Sequence, residues 1–236
     1  ENCCKKHKNF AHQGIMRFLH LAAVIAWTSA KTMQSKYDLI VIGAGSAGLG
    51  AAKYAAKFGK SVALIEKERF GGDCTWTGCV PSKTLLASAK HAHAVRTASK
   101  FGITAGEVNI DMKAIKTRIK SVIEQIYDED DSPAALKKLG VTSITGTASF
   151  IDRSTLTVSP SSGGTEERRL TAADGIVIAT GARPRPPRIE GIQNVPYITY
   201  ESVFDLEEVP RRISVVGGGP IGCELAQAFM RLGSQV

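Results

Sequence analysis

Two cysteines with four residues between them, Cys74 and Cys79, are spaced for thiol chemistry. They lie in the stretch 71–83, which reads GGDCTWTGCVPSK. The pair could form a redox-active disulfide, half of a metal site or two inert buried thiols. A metal site needs further Cys or His ligands at suitable spacing, and none is close in the sequence. A disulfide that exchanges electrons is favoured by the residues around Cys79.

The residues around Cys79 indicate how its thiol is activated. Gly78 precedes it, and Pro81 follows at a position typical of the first turn of a helix. Because a helix N-terminus stabilises a thiolate, we expect the pKa of Cys79 to fall. Lys83, one turn into this helix, adds positive charge nearby.

A nucleotide-binding pattern lies just ahead of the cysteine stretch. An apolar run at 37–42 predicts a buried parallel strand, an alanine-rich run at 49–58 predicts a helix, and 61–66 predicts a second strand. The loop between the first strand and the helix has the spacing Gly-x-Gly-x-x-Gly, which permits a tight turn and close approach of a pyrophosphate to the helix N-terminus. An acidic residue at the end of the second strand is placed to bind a ribose. The residues predicted to contact the dinucleotide here are Gly43, Gly45, Ser46, Ala47, Gly48, Glu66 and Lys67.

A second loop of the same spacing, Gly217-x-Gly219-x-x-Gly222, follows a predicted strand at 213–216 and opens a helix that ends at Leu232. The chain stops where the next strand would start. We therefore expect the sequence to be a fragment whose second dinucleotide unit is incomplete. A thiol pair beside a dinucleotide site suggests that electrons pass between a flavin and a disulfide.

The remaining pattern predicts an α/β fold, with one Rossmann-like domain and a second, truncated Rossmann-like unit. The other predicted elements are helices at 82–99, 112–127 and 133–140, strands within 141–170 around a turn at 161–164, a buried strand at 175–181 and an extended linker at 183–187. The predicted domains are an N-terminal extension at 1–36, a dinucleotide-binding domain at 37–190 and the start of a second one at 191–236.

Composition excludes several classes of protein. The 236 residues are 43% hydrophobic and 22% charged, which is ordinary for a soluble globular protein. Five of the eight net positive charges lie in the first 36 residues. No basic stripe with interleaved aromatic residues follows, so we expect no nucleic-acid partner. Five cysteines are too few and too unevenly spaced for a disulfide scaffold.

The N-terminal extension has two interpretations. A basic start at Met16-Arg17, an apolar run of about ten residues and small residues up to Ala30 resemble a secretory or organelle-directing signal. Otherwise the segment is an untranslated or badly predicted stretch. The first interpretation places the protein in an organelle or the secretory pathway, and the second places it in the cytosol. The apolar run is too short to span a bilayer.

The stretch 71–83 carries a family resemblance that extends over 37–236. Its Gly-Gly-x-Cys-x4-Cys-x-Pro-Ser-Lys arrangement resembles that of the class I pyridine-nucleotide–disulfide oxidoreductases, flavoproteins that include dihydrolipoyl dehydrogenase, glutathione reductase and mercuric reductase. The version DCTWTGC most resembles the mercuric-reductase-like branch. The Ala-Thr-Gly turn that ends at Thr180 and Gly181 also matches the family.

The resemblance implies a role for each matching residue. The first glycine loop and Glu66 would hold FAD, and the second loop would bind NAD or NADP. Cys79 would be the thiol nearer the flavin, and Cys74 would attack the substrate. Lys83 would lie near the flavin and pair with Glu224, a buried carboxylate that requires a partner. The other implied contacts with FAD are Gly72, Asp73, Cys74, Lys83, Thr180 and Gly181.

The implied activity passes electrons from NAD(P)H to FAD, then to the disulfide, and finally to a disulfide or metal-ion substrate. One alternative is a dihydrolipoyl dehydrogenase, which runs in the opposite net direction. Another is a catalytically incomplete product that at most binds FAD. A monooxygenase-type flavoprotein is disfavoured because it needs no paired cysteines here. Trp76 is expected to pack beside the flavin, and no resident metal is expected.

The family's C-terminal dimerisation domain has no counterpart in the sequence. The resemblance implies that the parent enzyme is a homodimer. Because the NAD(P)H unit is incomplete and the base that the dimerisation domain supplies is missing, we expect that this chain alone does not turn over.

Overall fold

The computed structural model describes residues 34–161 and 167–236, all within one compact unit. The segment from Met16 to Ala30 and most of the predicted turn at 161–164 lie outside the described residues. Among the helices that are described, none combines the length and the apolar character needed to cross a membrane.

A six-stranded mixed sheet lies at the centre of the fold. Its strands are β1 Gln34–Ile42, β2 Val62–Glu66, β3 Val141–Thr145, β4 Thr147–Phe150, β5 Thr155–Ser159 and β6 Arg168–Ile178. The strand order is β3-β2-β1-β6-β5-β4. Strands β3, β2, β1 and β6 run parallel, whereas β5 pairs antiparallel with both β6 and β4. The predicted α/β class with a Rossmann-like arrangement is confirmed.

Helices connect and cover the strands. They are α1 Ser46–Lys57, α2 Gly72–Trp76, α3 Cys79–Thr97, α4 Met112–Ile126, α5 Pro133–Lys138 and α6 Pro220–Leu232. A π-helical turn, Tyr127–Asp131, follows α4 directly. Asp111 and Ser132 cap α4 and α5 by accepting hydrogen bonds from backbone N–H groups of the first turn.

The hydrophobic core has two parts on the sheet and a third between helices. Because side chains alternate along a strand, Val41 and Leu64 face one side of the sheet, and Ile40 and Ile65 face the other. The third part joins α3, α4 and α6, with Phe229 fully buried. Helix α6, which begins at the second glycine loop, packs on α3, which begins at Cys79.

Three strands differ from the sequence prediction. The buried strand predicted at 175–181 is the end of β6, Arg168–Ile178, and residues 175–178 are partly exposed or exposed. β1 begins at Gln34, three residues before the expected start, because 34–37 pair with β6. The segment 213–216 does not form a sheet strand. A strand needs a hydrogen-bonded neighbour, and in the described part of the chain only Gln235 lies beside it, through a parallel bridge to Arg212.

Candidate functional site

The first glycine loop lies where three parallel strands end. Gly43 follows β1 with a φ of +98°, and its N–H donates a 2.8 Å hydrogen bond to the carbonyl of Ile65 on β2. A Cβ at Gly43 would overlap the carbonyl of Ala179, just after β6. β1 therefore ends between β2 and β6, at the switch point of the parallel sheet, which is where such folds bind ligands.

The start of α1 leaves backbone donors available to an anion. Gly45 is the N-cap, with extended backbone, and Ser46 and Ala47 are exposed in the first turn. Gly48 is buried against the carbonyl of Gly43, with no room for a side chain. The first N–H groups of a helix have no partner within the helix and are suited to a phosphate.

Two further predicted residues lie around this loop. A Cβ on Gly72, at the start of α2, would come within 2.5 Å of Gly45 Cα, so the cysteine stretch abuts the loop. Glu66 ends β2, and its carboxylate accepts hydrogen bonds from the N–H groups of Ala44 (2.8 Å) and Glu68 (2.9 Å). Glu66 therefore bonds to the glycine loop itself.

The remaining predicted nucleotide contacts are more exposed. Thr180 and Gly181 follow β6 on the surface, and the Lys67 ammonium lies 3.5 Å from Glu68. Asp73 accepts a 3.3 Å hydrogen bond from the phenol of Tyr200. Burial and the charge of Asp73 raise the pKa of Tyr200. Tyr200 was not predicted, because no local pattern marks it.

The two cysteines of the predicted redox pair lie on adjacent helices. Cys74 is half-buried in α2, and Cys79 is the exposed first residue of α3; both are free thiols. A hydrogen bond with Cys74 raises the pKa of Cys79, partial burial adds to the rise, and the Lys83 ammonium opposes it. The expectation of a lowered pKa was therefore wrong, because the neighbouring thiol outweighs the lysine.

The pH dependence of alkylation tests this cause. In reduced, flavin-free protein, iodoacetamide should alkylate Cys79 with a midpoint above the ordinary range for a thiol, since only the thiolate reacts. Cys74→Ala should move the midpoint to lower pH, and Lys83→Met should move it to higher pH. Mass spectrometry of samples quenched across a pH series gives each midpoint. Shifts of the opposite sign would contradict the assignment.

An ion pair joins α3 to α6 beside the thiols. Lys83 Nζ lies 2.7 and 2.8 Å from the two carboxylate oxygens of Glu224. This hydrogen bond raises the pKa of Lys83. Glu224 was expected to be buried, but its side chain is 37% exposed and that of Lys83 is 58% exposed.

Such an exposed pair should contribute little to stability. In a double-mutant cycle of Lys83→Met and Glu224→Gln, we expect a coupling of no more than about 1 kcal/mol, because water screens the charges. Urea unfolding of the four proteins gives the value. A coupling above about 3 kcal/mol would indicate a desolvated pair instead.

The side chains that follow Cys74 hold α2 in place. Thr75 is buried and donates a 2.6 Å hydrogen bond to Asp131. The indole N–H of Trp76 donates a 2.7 Å hydrogen bond to the carbonyl of Phe70, and the Arg69 guanidinium lies 4.4 Å from its ring centroid. The Trp76 ring also packs against Tyr127, with ring centroids 5.2 Å apart. Its packing beside a flavin stays a prediction.

The second glycine loop repeats the local geometry of the first. Gly217 has a φ of +115°, and Gly219 is an extended N-cap of α6, as Gly45 is of α1. A Cβ at Gly222 would overlap the carbonyl of Gly217, as one at Gly48 would overlap that of Gly43. A cavity of about 800 Å³ opens beside this loop, also lined by Tyr197, Tyr200 and Leu225.

The class of protein follows from a comparison with known families. The family described as Pyridine nucleotide-disulphide oxidoreductase matches residues 37–236, and the chain belongs to it. Members of this family use FAD and NAD(P)H.

Proteins with similar sequences are named for several different activities. The chain is 38% identical over 201 residues to a mercuric reductase of Streptomyces lividans, covering 85% of this chain and 42% of the relative. It is 36% identical over 206 residues to a dihydrolipoyl dehydrogenase of Chlamydia muridarum (86% and 43%) and over 204 residues to a glutathione reductase of Nostoc sp. (86% and 42%). The chain thus spans about two fifths of the length of these curated relatives.

A solved structure gives the same fold. The HOCl-induced flavoprotein disulfide reductase RclA from Escherichia coli, in its Cu(II) complex, matches with a TM-score of 0.67 and 30% identity. The match covers 85% of this chain and 41% of that chain.

Proposed function

We propose that this chain forms the FAD-binding and redox-cysteine part of an NAD(P)H-dependent oxidoreductase that reduces a metal ion or a disulfide, in the manner of a mercuric reductase. The observation that supports this most strongly is the placement of Cys74 and Cys79. Helix α2, which carries Cys74, begins against the first glycine loop, and a Cβ at Gly78, just before Cys79, would lie 3.2 Å from Cys74 Cα. The charged pair of Lys83 and Glu224 lies on the same side of α3.

The first loop fits a dinucleotide. Gly45 and Gly72 meet without side chains, the start of α1 presents free N–H groups, and Glu66 provides a carboxylate at the end of β2. We assign to FAD the contacts predicted from the sequence around this loop, together with Thr180 and Gly181. When bound, FAD supplies two-electron transfer between a nicotinamide and a disulfide.

The second loop is assigned to NAD or NADP. Its geometry matches that of the first loop at Gly217, Gly219 and Gly222, and α6 begins there with its first turn exposed. Because α6 packs on α3, this loop and Cys79 lie at the starts of two helices that are in contact. We also assign the intact protein to the homodimers, as the family resemblance implies.

The thiols themselves carry out substrate reduction. For a disulfide substrate, the Cys74 thiolate attacks one sulfur, and the second sulfur leaves and takes up a proton. The Cys79 thiolate then attacks Cys74 of the mixed disulfide, which closes the bond between the two cysteines and releases the second thiol. Lys83 holds positive charge near the thiolates throughout. For a thiophilic metal ion, the same two sulfurs are the ligands.

Two assays on the intact protein distinguish this function from the main alternative, that of a dihydrolipoyl dehydrogenase. A mercuric-reductase-like enzyme should oxidise NADPH or NADH in a reaction that requires Hg(II). A dihydrolipoyl dehydrogenase should reduce NAD with dihydrolipoamide. The second function is a candidate because the identity to such an enzyme, 36%, nearly equals the 38% to the mercuric reductase. Rapid NAD reduction without Hg(II)-dependent oxidation would contradict our proposal.

A further inference from the structure

A buried carboxylate contacts α2, the helix that contains Cys74. Asp131 ends the π-helical turn and is 7% exposed. Its Oδ2 accepts the hydrogen bond from Thr75, which is 3% exposed, and its Oδ1 lies 3.2 Å from the ammonium of Lys53 on α1. Since a buried carboxylate is costly without partners, these three groups stabilise one another.

The π-helical turn contacts two consecutive residues of α2. Its last residue, Asp131, bonds to Thr75, and its first residue, Tyr127, packs against Trp76 with ring centroids 5.2 Å apart. Cys74 immediately precedes these two residues. Such turns are rare and recur at functional sites, because the wider turn moves side chains out of the helical register.

Helix α2 depends on these contacts for its orientation. It has only five residues, Gly72–Trp76, too few to be stable alone. The hydrogen bond from Trp76 to the carbonyl of Phe70 holds α2 to the segment after β2. Among the described residues, the bond from Thr75 is one of three side-chain hydrogen bonds of α2, with those that join Asp73 to Tyr200 and Trp76 to Phe70.

We propose that Asp131 is a positioning residue that sets the thiol–disulfide equilibrium of Cys74 and Cys79 by fixing α2 through Thr75. This inference rests on the proposed function. A disulfide requires Cβ atoms about 3.5–4.5 Å apart in a narrow range of torsion angles. A fixed α2 holds Cys74 within reach of Cys79 and so favours the closed disulfide. The ion pair with Lys53 ties the same carboxylate to the helix of the first glycine loop.

The test measures this equilibrium in the intact, flavin-loaded protein. Anaerobic buffers of reduced and oxidised dithiothreitol set the potential, and alkylation with mass spectrometry counts the thiols. On oxidation, the Cys74 and Cys79 sulfurs join and release two protons. The two electrons pass to oxidised dithiothreitol, whose disulfide becomes two thiols.

Two variants remove the contact in different ways. Thr75→Val keeps the branched shape without the hydroxyl, and Asp131→Asn removes the charge. Each should shift the equilibrium about tenfold toward the dithiol, which is ~30 mV for a two-electron couple. Thr75→Ser, which keeps the hydroxyl, should stay within about twofold of the parent. Asp174→Asn, which breaks an exposed pair with Lys60, is the matched control and should leave the equilibrium unchanged.

The outcomes separate this inference from the proposed function. Folded Thr75→Val and Asp131→Asn proteins that both match the parent equilibrium would overturn the inference alone. If Asp131→Asn does not fold, the thiol–disulfide equilibria of Thr75→Val and Thr75→Ser are compared. Equal equilibria in these two variants would overturn the inference. If the intact protein without substitutions never forms the bond between Cys74 and Cys79, both the proposed function and this inference are overturned.

Discussion

Replacing either Cys74 or Cys79 by serine is expected to lower the rate of substrate reduction by the intact protein at least ~10³-fold. A hydroxyl is neither a comparable nucleophile nor able to close a disulfide, and removing a covalent nucleophile typically costs this much or more. Steady-state oxidation of NAD(P)H with the accepted substrate gives the rate. Flavin content should stay close to that of the parent, because the loss lies in thiol chemistry.

Cys223→Ser is the matched control for these variants. Cys223 is an exposed free thiol outside the pair, and its Sγ donates to the carbonyl of Gly218 at 3.4 Å, a bond that a hydroxyl can also make. The activity of the Cys223→Ser protein should remain within about twofold of that of the unsubstituted protein. Full activity in the Cys74 and Cys79 variants would show that the electrons bypass the pair.

Gly45→Ala is expected to weaken FAD binding by roughly tenfold to a hundredfold, about 1.4–2.8 kcal/mol. The reason is that a methyl group would occupy the place where a pyrophosphate approaches the backbone. In the structure a Cβ here meets only Gly72 Cα, at 3.8 Å, which is ordinary contact. The fold should therefore accept the change, at a cost of about 1 kcal/mol for alanine at an N-cap. Flavin fluorescence during titration of the apoprotein gives the dissociation constant.

Gly50→Ala, five residues along the same helix, is the control for this effect. A Cβ at Gly50 meets nothing within 4 Å. Alanine in a helix interior should raise the free energy of unfolding by about 0.5–1 kcal/mol and leave FAD affinity unchanged. If Gly45→Ala binds FAD as tightly as the unsubstituted protein, the proposal that this loop binds the pyrophosphate is contradicted.

The parts of the fold that sequence predicts well are those specified by local pattern. The apolar run at 37–42, the glycine spacing and the alanine-rich helix each act over a few residues, and the structure has all three. The second glycine loop also takes its local form. Its strand at 213–216 does not form, because pairing depends on a neighbour that local pattern cannot supply.

The parts that sequence missed depend on contacts between distant residues. Asp131 ends the acidic run at 128–131; the first three residues of the run are exposed, as is usual for a run of charges, but Asp131 is buried at the end of the π-helical turn. Its partner Thr75 is 56 residues away. The pKa of Cys79 was predicted from its place at a helix start, but the three-dimensional position of Cys74 reverses the direction.

Anaerobic titration of the intact, flavin-loaded protein with NADPH or NADH tests the central claim most directly. Alkylation after each addition counts the thiols at Cys74 and Cys79. We predict that both become free thiols as the nicotinamide is consumed, and that a long-wavelength absorption band of a thiolate against the flavin appears. A protein that consumes the nicotinamide while these two sulfurs stay bonded to each other would contradict the account.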